Sequence, residues 1–203
     1  MPESPDPRVR HRGLTARDAA LIGVFAALIA VLSLPFSIPV GPVPITLQTL
    51  GVMLAPSLLG AKRGTLAVLT FLALVLAGLP LLPGGRGGVG PFLGPTGGYM
   101  LGWVVGALVI GLLAQRMAPR YRFLPGFGIN ILGGIGVIYA VGVPWSAVAL
   151  GDELLASIIA TGAFLPGDLA KALLASAVAS AVFRAYPVPP PGRPVTTAEP
   201  TEN

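Results

Sequence analysis

Six stretches of this chain are almost free of charge, and each is long enough to predict a helix rather than a strand. They run over residues 15–34, 44–60, 64–82, 96–115, 124–142 and 166–183. Most approach the ~20 residues that a hydrocarbon core about 30 Å thick requires at 1.5 Å rise per residue. The pattern therefore predicts an all-α integral membrane protein with six transmembrane helices. The second stretch is short, and is expected to tilt or to begin inside the protein. Thr15 followed by Asp18 has the form of a capping box that starts the first helix. Pro80, Pro83 and Pro119 are expected stops. The first stretch is followed by Pro35 and Pro39 and lacks a small-x-small cleavage site, so it reads as a retained helix.

Residues 144–165 fit the pattern less well. Val148, Leu150, Leu154, Leu155, Ile158 and Ile159 are apolar at helical spacing, but Asp152 and Glu153 interrupt them. The expectation is an amphipathic helix lying at the interface or packed over the bundle. A seventh span would put two adjacent acids in lipid.

Composition agrees with a membrane solvent. Of 203 residues, 54% are hydrophobic and 10% charged, against roughly 25% charged in soluble domains. The net charge of +5 is spread in short clusters between apolar runs, with no basic face for nucleic acid. Arg8, Arg10, Arg12, Arg17, Lys62, Arg63, Arg116, Arg120, Arg122, Arg184 and Arg193 all fall on one side of a six-span model. The positive-inside rule makes that side cytoplasmic, with both termini. Arg86 alone lies outside. The expected organisation is a disordered tail over 1–14, a six-helix membrane domain over 15–186 and a second disordered tail over 187–203.

Asp168 and Lys171 stand one helical turn apart at the outer start of the last stretch. Asp168 alone fits a first-turn acid favoured by the helix dipole, but the same dipole disfavours Lys171. Either the two pair or snorkel, or they line a polar pocket; ionisable residues in a span usually mark a ligand or ion path. Eight glycines fall within residues 84–98, around Arg86 and ahead of Thr96, Gly97, Gly98 and Tyr99. The tract is a flexible turn, or its end offers free N–H groups to an anion, with Thr96 as N-cap. Arg86 reads as a solvated loop residue or as a charge reader. Thr46, Gln48, Thr49 and Asn130 are either interhelical hydrogen-bonding groups or ligand contacts. Tyr99 and Trp103 are pocket wall or interfacial belt. On the first helix Ala19, Gly23 and Ala27, and separately Ala26 and Ala30, form small faces that let another helix approach.

Catalysis is poorly served. His11, the single histidine, lies in the tail, and there is no cysteine. No histidine-based triad or metal site is available to the bundle. A protease using two membrane carboxylates would need Asp152 beside Asp168. No phosphate-binding Gly-x-x-x-x-Gly-Lys-Ser/Thr motif is present, so the chain does not hydrolyse ATP itself.

Three motifs in order, Val43-Pro44-Ile45-Thr46-Leu47-Gln48-Thr49-Leu50, Gly94-Pro95-Thr96-Gly97-Gly98-Tyr99 and Pro166-Gly167-Asp168-Leu169-Ala170-Lys171, resemble the BioY family over about 15–184. These are biotin-binding S components of energy-coupling factor (ECF) transporters. The resemblance implies the S-component fold in a prokaryotic plasma membrane, with biotin bound near the outer face as a transported ligand rather than a cofactor. It implies as partners a membrane coupling (T) subunit and two ABC ATPase subunits. It maps ligand residues onto Asp168 and Lys171, and a coupling-subunit contact onto Ala26 and Ala30. The chain departs from the pattern at Arg86, where some relatives carry a small polar residue such as Asn. Thr96, the amides of Gly97 and Gly98, or Arg86 are candidates for the carboxylate; Tyr99, Thr46 and Gln48 complete the expected pocket. A solitary facilitator and an intramembrane hydrolase are the alternatives.

Overall fold

The computed structural model describes residues 13–33, 37–38, 43–118 and 120–186. Nearly all of both expected tails, with His11, Leu34, Pro35, Pro39 and Pro119, lie outside the described residues. The rest is helical but for two very short strands. The order is α1 (Ala16–Ser33), β1 (Ser37–Ile38), β2 (Ile45–Thr46), α2 (Gln48–Leu76), α3 (Gly90–Leu93), α4 (Gly97–Arg116), α5 (Phe123–Ile131), a π turn (Leu132–Val137), α6 (Ile138–Leu150), α7 (Leu154–Thr161), a 3-10 turn (Gly162–Phe164) and α8 (Leu165–Ala185). Five helical segments are long and apolar enough to cross a membrane.

The second and third expected spans both lie in α2. Gly60, at φ 77° and ψ −176°, breaks it into arms 48–59 and 61–76. The arms fold back on each other: a Cβ on Gly64 would stand 2.3 Å from the Pro56 Cα, whereas eight residues of straight helix separate Cα atoms by about 12 Å. Val52 and Ala55 accordingly pack in the same clusters as Val68, Phe71 and Ala67. Gly60 is required here because its φ lies in the left-handed region. The first arm rises only about 18 Å. The β2 segment before it is extended, pairs antiparallel with β1, and lines the cleft described below. Irregular backbone at such a depth is tolerated where it faces a cavity. The second arm ends at Leu76, short of Pro80; Gly78 at φ 100° turns the chain first.

The capping box forms: the Thr15 N–H donates to Asp18 Oδ2 at 3.0 Å, and the Asp18 N–H to Thr15 Oγ1 at 3.2 Å. Asp18 also pairs with Arg63 at 2.6 Å, tying the start of α1 to the turn of α2.

Residues 144–165 do not form one interfacial helix. Helix α6 continues the fifth span to Leu150, and Gly151, in the left-handed conformation, ends it. Helix α7 then starts afresh and runs through the 3-10 turn into α8. The reason lies in Gly151-Asp152-Glu153, a turn that carries both acids at an exposed position.

Large apolar side chains face outward, as lipid-facing positions should; Val24 is 63% exposed and Leu132 54%. The interior is apolar as well but also holds polar groups, most of them paired; among the described residues Gln48 Nε2, Thr65 Oγ1, Trp103 Nε1 and Ser157 Oγ are the buried exceptions. Asn130 is fully buried: its amide nitrogen, with two N–H donors, lies within hydrogen-bond distance of Tyr121 Oη, the Gly126 carbonyl and Ser176 Oγ, and its oxygen accepts from Ser57 Oγ. This hub ties α2, α5 and α8 together in the half of the bundle away from Asp168.

Candidate substrate cleft

Helix α8 opens with Pro166 in its first turn, where a missing N–H does no harm. Asp168 and Lys171 follow on one face, 6% and 7% exposed. Lys171 Nζ lies 2.8 Å from Asp168 Oδ1. Two more side chains complete the cluster. Thr49 Oγ1 donates to Asp168 Oδ1 at 3.2 Å and accepts from Lys171 Nζ at 3.1 Å. Tyr139 Oη donates to Asp168 Oδ2 at 2.6 Å.

Tyr139 arrives there through the π turn. Gly126 and Asn130 are buried on α5, and a continuous α-helix would carry that face on to positions 137, 144 and 148. Instead Ile138, Gly142 and Ser146 are buried, while Pro144 is exposed and Val148 is 85% exposed. The inward face has moved one residue along, the signature of a single-residue π insertion. That offset points Tyr139 at Asp168.

The cluster lines one lobe of a cleft with about 60 Å³ of free space, walled by Val43, Pro44, Ile45, Phe164, Ile138 and Trp103 among others. A second lobe of about 50 Å³ adjoins it, lined by Gln48, Leu82, Pro83, Arg86, Thr96 and Met100. Val43, Pro44, Thr46, Tyr99 and Trp103 border both lobes. The cleft thus has an acid–base pair at one end, a guanidinium at the other and an apolar, aromatic middle. Tyr99 and Tyr139 meet edge to face at 6.3 Å. Tyr99 Oη is also within 3.2 Å of Thr161 Oγ1, which fixes α7 against the cleft. Arg86 is held by Pro83-Gly84-Gly85, a tight turn closed by the Leu82–Arg86 bridge. Gly84 and Gly85 have φ of 74° and 69°, which a side chain would strain. Arg86 Nε donates to the Pro83 carbonyl at 3.1 Å.

A family model described as the BioY family matches residues 6–188. The chain belongs to the BioY family. The biotin transporter BioY of Rhizobium etli is 42% identical over 184 residues, 87% of this chain and 98% of that protein. That of Rhodobacter capsulatus is 44% identical over 182 residues, 84% and 95% of the two chains. A crystal structure of the S-component for biotin from an ECF-type ABC transporter superposes with a TM-score of 0.78 at 35% identity, covering 85% of this chain and 96% of that one. This is therefore a multi-pass membrane protein of a transporter family, with the S-component architecture.

Within this BioY chain the expected site residues separate into two groups. Asp168, Lys171, Thr46, Tyr99, Gln48, Thr96 and Arg86 converge on the cleft. Gly97 and Gly98 are buried behind its wall: a Cβ on Gly97 would overlap the Phe92 carbonyl, and one on Gly98 the Trp145 side chain. They are glycine for packing. Thr96 makes no cap hydrogen bond to α4; its hydroxyl donates to the Pro91 carbonyl at 2.9 Å. Of the amides expected to hold an anion at this helix start, that of Gly97 donates to the Gly94 carbonyl at 3.0 Å.

Helix α1 turns Ala26 inward, 2% exposed, against Ile29 and Val52, with Ala30 packed on the same cluster. Buried there, Ala26 has no surface to offer a coupling subunit. The outward small face is Ala16, Ala19, Ala20, Gly23 and Ala27. Asp152 lies exposed in the turn after α6, while Asp168 is buried beside Lys171.

Sequence reasoning missed Tyr139 and left Thr49 among general polar residues. Each offered one hydroxyl in an apolar run as its signal, and for Tyr139 the α-helical period pointed it the wrong way.

Proposed function

We propose that this protein is the membrane-embedded biotin-binding subunit of an ECF uptake system. It takes biotin from the outer face and delivers it inward. The observation that carries the reading is the two-ended cleft. Biotin has a ureido ring with N–H donors and a carbonyl at one end, a carboxylate at the other and an apolar thiolane and alkyl chain between. Asp168 accepts from a ureido N–H and Lys171 donates to the ureido oxygen. Arg86 meets the carboxylate, with Gln48 and Thr96 beside it, and Tyr99 and Trp103 enclose the middle. Charge-assisted hydrogen bonds in a water-poor cleft supply the affinity.

Energy comes from partners: a membrane coupling subunit and two ABC ATPases. The coupling subunit packs on the outward small face of α1 around Gly23, where a close helix approach meets no side chain. The chain crosses the membrane six times, the two arms of α2 being separate crossings, with both termini cytoplasmic.

The test is binding of radiolabelled biotin to the purified chain, followed by uptake in cells with and without coexpressed coupling and ATPase subunits. Tight binding with uptake only in the presence of the subunits is expected. Undiminished uptake without them would make the chain a solitary facilitator. Absence of binding would sink the reading. With no native cysteine, single cysteines at Ser4 and Thr197 report orientation by labelling; labelling from outside intact cells would overturn the cytoplasmic placement.

A further inference from the structure

The acid–base end of the cleft has a countable hydrogen-bonding capacity. A carboxylate offers four lone-pair positions and an ammonium three donors. Asp168 Oδ1 is filled by Lys171 at 2.8 Å and Thr49 at 3.2 Å, and one position of Oδ2 is filled by Tyr139 at 2.6 Å. Lys171 spends two donors, on Asp168 and on Thr49 at 3.1 Å. What remains is one acceptor position on Asp168 Oδ2 and one donor on Lys171.

We propose that Thr49 sets the ligand specificity of this end, Tyr139 holding the carboxylate in place, so that the Asp168–Lys171 pair presents one acceptor beside one donor. That pattern fits a cis-amide edge, a single N–H next to a single C=O, as in a cyclic urea or lactam. It rejects an edge made only of donors, such as a cyclic guanidinium, whose second N–H would face the Lys171 ammonium. The hydroxyl of Thr49 is the decisive group because it occupies both partners at once. Without it, Asp168 would present one free position on each oxygen, a fork that suits a guanidinium. Tyr139 acts as a positioning residue: its hydroxyl fixes the plane of the carboxylate, and the π turn fixes Tyr139.

The proposal rests on the biotin reading, and its test separates the two. Affinities for biotin and for its cyclic guanidinium analogue, 2-iminobiotin in its protonated form, are measured on the purified full chain, unsubstituted and as Thr49→Val, Thr49→Ser and Tyr139→Phe. Thr49→Val is expected to narrow the preference for biotin by at least about tenfold, the size of one charge-assisted hydrogen bond. Thr49→Ser, which keeps the hydroxyl, retains the preference. Tyr139→Phe, which keeps the ring against Tyr99, weakens both ligands about equally. Apparent Tm, read alongside, shows that each variant is folded. An unchanged preference in folded Thr49→Val, or the same loss in Thr49→Ser, overturns the proposal while leaving biotin binding intact. Failure of the unsubstituted chain to bind biotin removes the underlying reading instead.

Discussion

Replacing Lys171 with Met keeps the apolar stem of the side chain, removes the ammonium and strands a buried carboxylate. Asp168 is 6% exposed, so water cannot solvate the charge left behind. Breaking a buried pair in this way typically costs about 3–5 kcal/mol. Two features soften the loss here. Thr49 and Tyr139 still donate to Asp168, and the start of α8 favours a negative charge by about 0.3–1 kcal/mol. The expected loss is therefore near the bottom of the range, about 3 kcal/mol. For a chain of this size that corresponds to roughly 6–12 °C in apparent Tm. Asp168→Asn alone strands the ammonium and should lower Tm comparably. The double variant, Asp168→Asn with Lys171→Met, removes both charges and leaves neutral groups that Thr49 and Tyr139 can still meet. It should therefore lie above the sum of the singles by about 2 kcal/mol, or roughly 4–8 °C. Thermal unfolding in detergent, followed by tryptophan emission from Trp103 and Trp145, gives the ranking. Biotin affinity is measured in parallel and should fall at least about 100-fold in all three variants, because two charge-assisted contacts are lost or neutralised. Strictly additive Tm losses would show that the pair is not coupled and refute the buried-pair account. Recovery of binding in the double variant would show that charge is irrelevant to recognition.

Gly64→Ala places a Cβ 2.3 Å from the Pro56 backbone, and should cost about 1–3 kcal/mol, seen as a lower Tm. Gly23→Ala meets nothing within 4 Å, so the isolated chain should be as stable or up to about 1 kcal/mol more so; copurification with the coupling subunit should fall if the close approach is real. Asn130→Leu leaves Ser57 and Tyr121 without their amide partner, and should lose about 2–3 kcal/mol in thermal unfolding with biotin affinity kept, since the hub lies outside the cleft. Arg86→Ala should weaken biotin by roughly tenfold and remove the preference for biotin over its methyl ester in competition binding; an intact preference would place the carboxylate elsewhere.

The parts of this protein that lipid dictates were legible in the sequence, and the parts that local backbone geometry dictates were not. Apolar runs located the long helices, because every span must satisfy its backbone internally and face hydrocarbon, though the third expected span runs past its helix end at Leu76 and the fifth stops short of Leu150. The two departures in how helices connect both sit at glycine-containing turns. At Gly60, the last residue of the expected second span, the chain reverses, so the arms join as a corner with no loop. At Gly151 a left-handed residue splits what periodicity had joined.

The site shows the same division. Asp168, Lys171 and Arg86 stood out because a charge in or beside a greasy run needs an explanation. Gly97 and Gly98 stood out too, but absence of a side chain marks close packing as readily as ligand approach, and the contacts with Phe92 and Trp145 supply a packing reason that the sequence does not show. Ala26 misled in a related way. Small-xxx-small spacing is the same for an internal and an external face, and α1 carries both. Tyr139 was hidden by a single inserted residue. On an α-helical wheel nine residues from Asn130 is half a turn away, so Tyr139 and Asn130 should oppose each other; the π turn brings both to the interior. The chemistry of the pair was therefore visible in residue type, but the Tyr139 hydroxyl that meets Asp168 is placed by one helical irregularity. A relative that kept Asp168 and Lys171 but had a regular α-helix of the same length here would present a different face to the cleft, with Tyr139 turned about 100° away from Asp168. On the reading proposed above, identity at the charged positions alone does not carry ligand recognition.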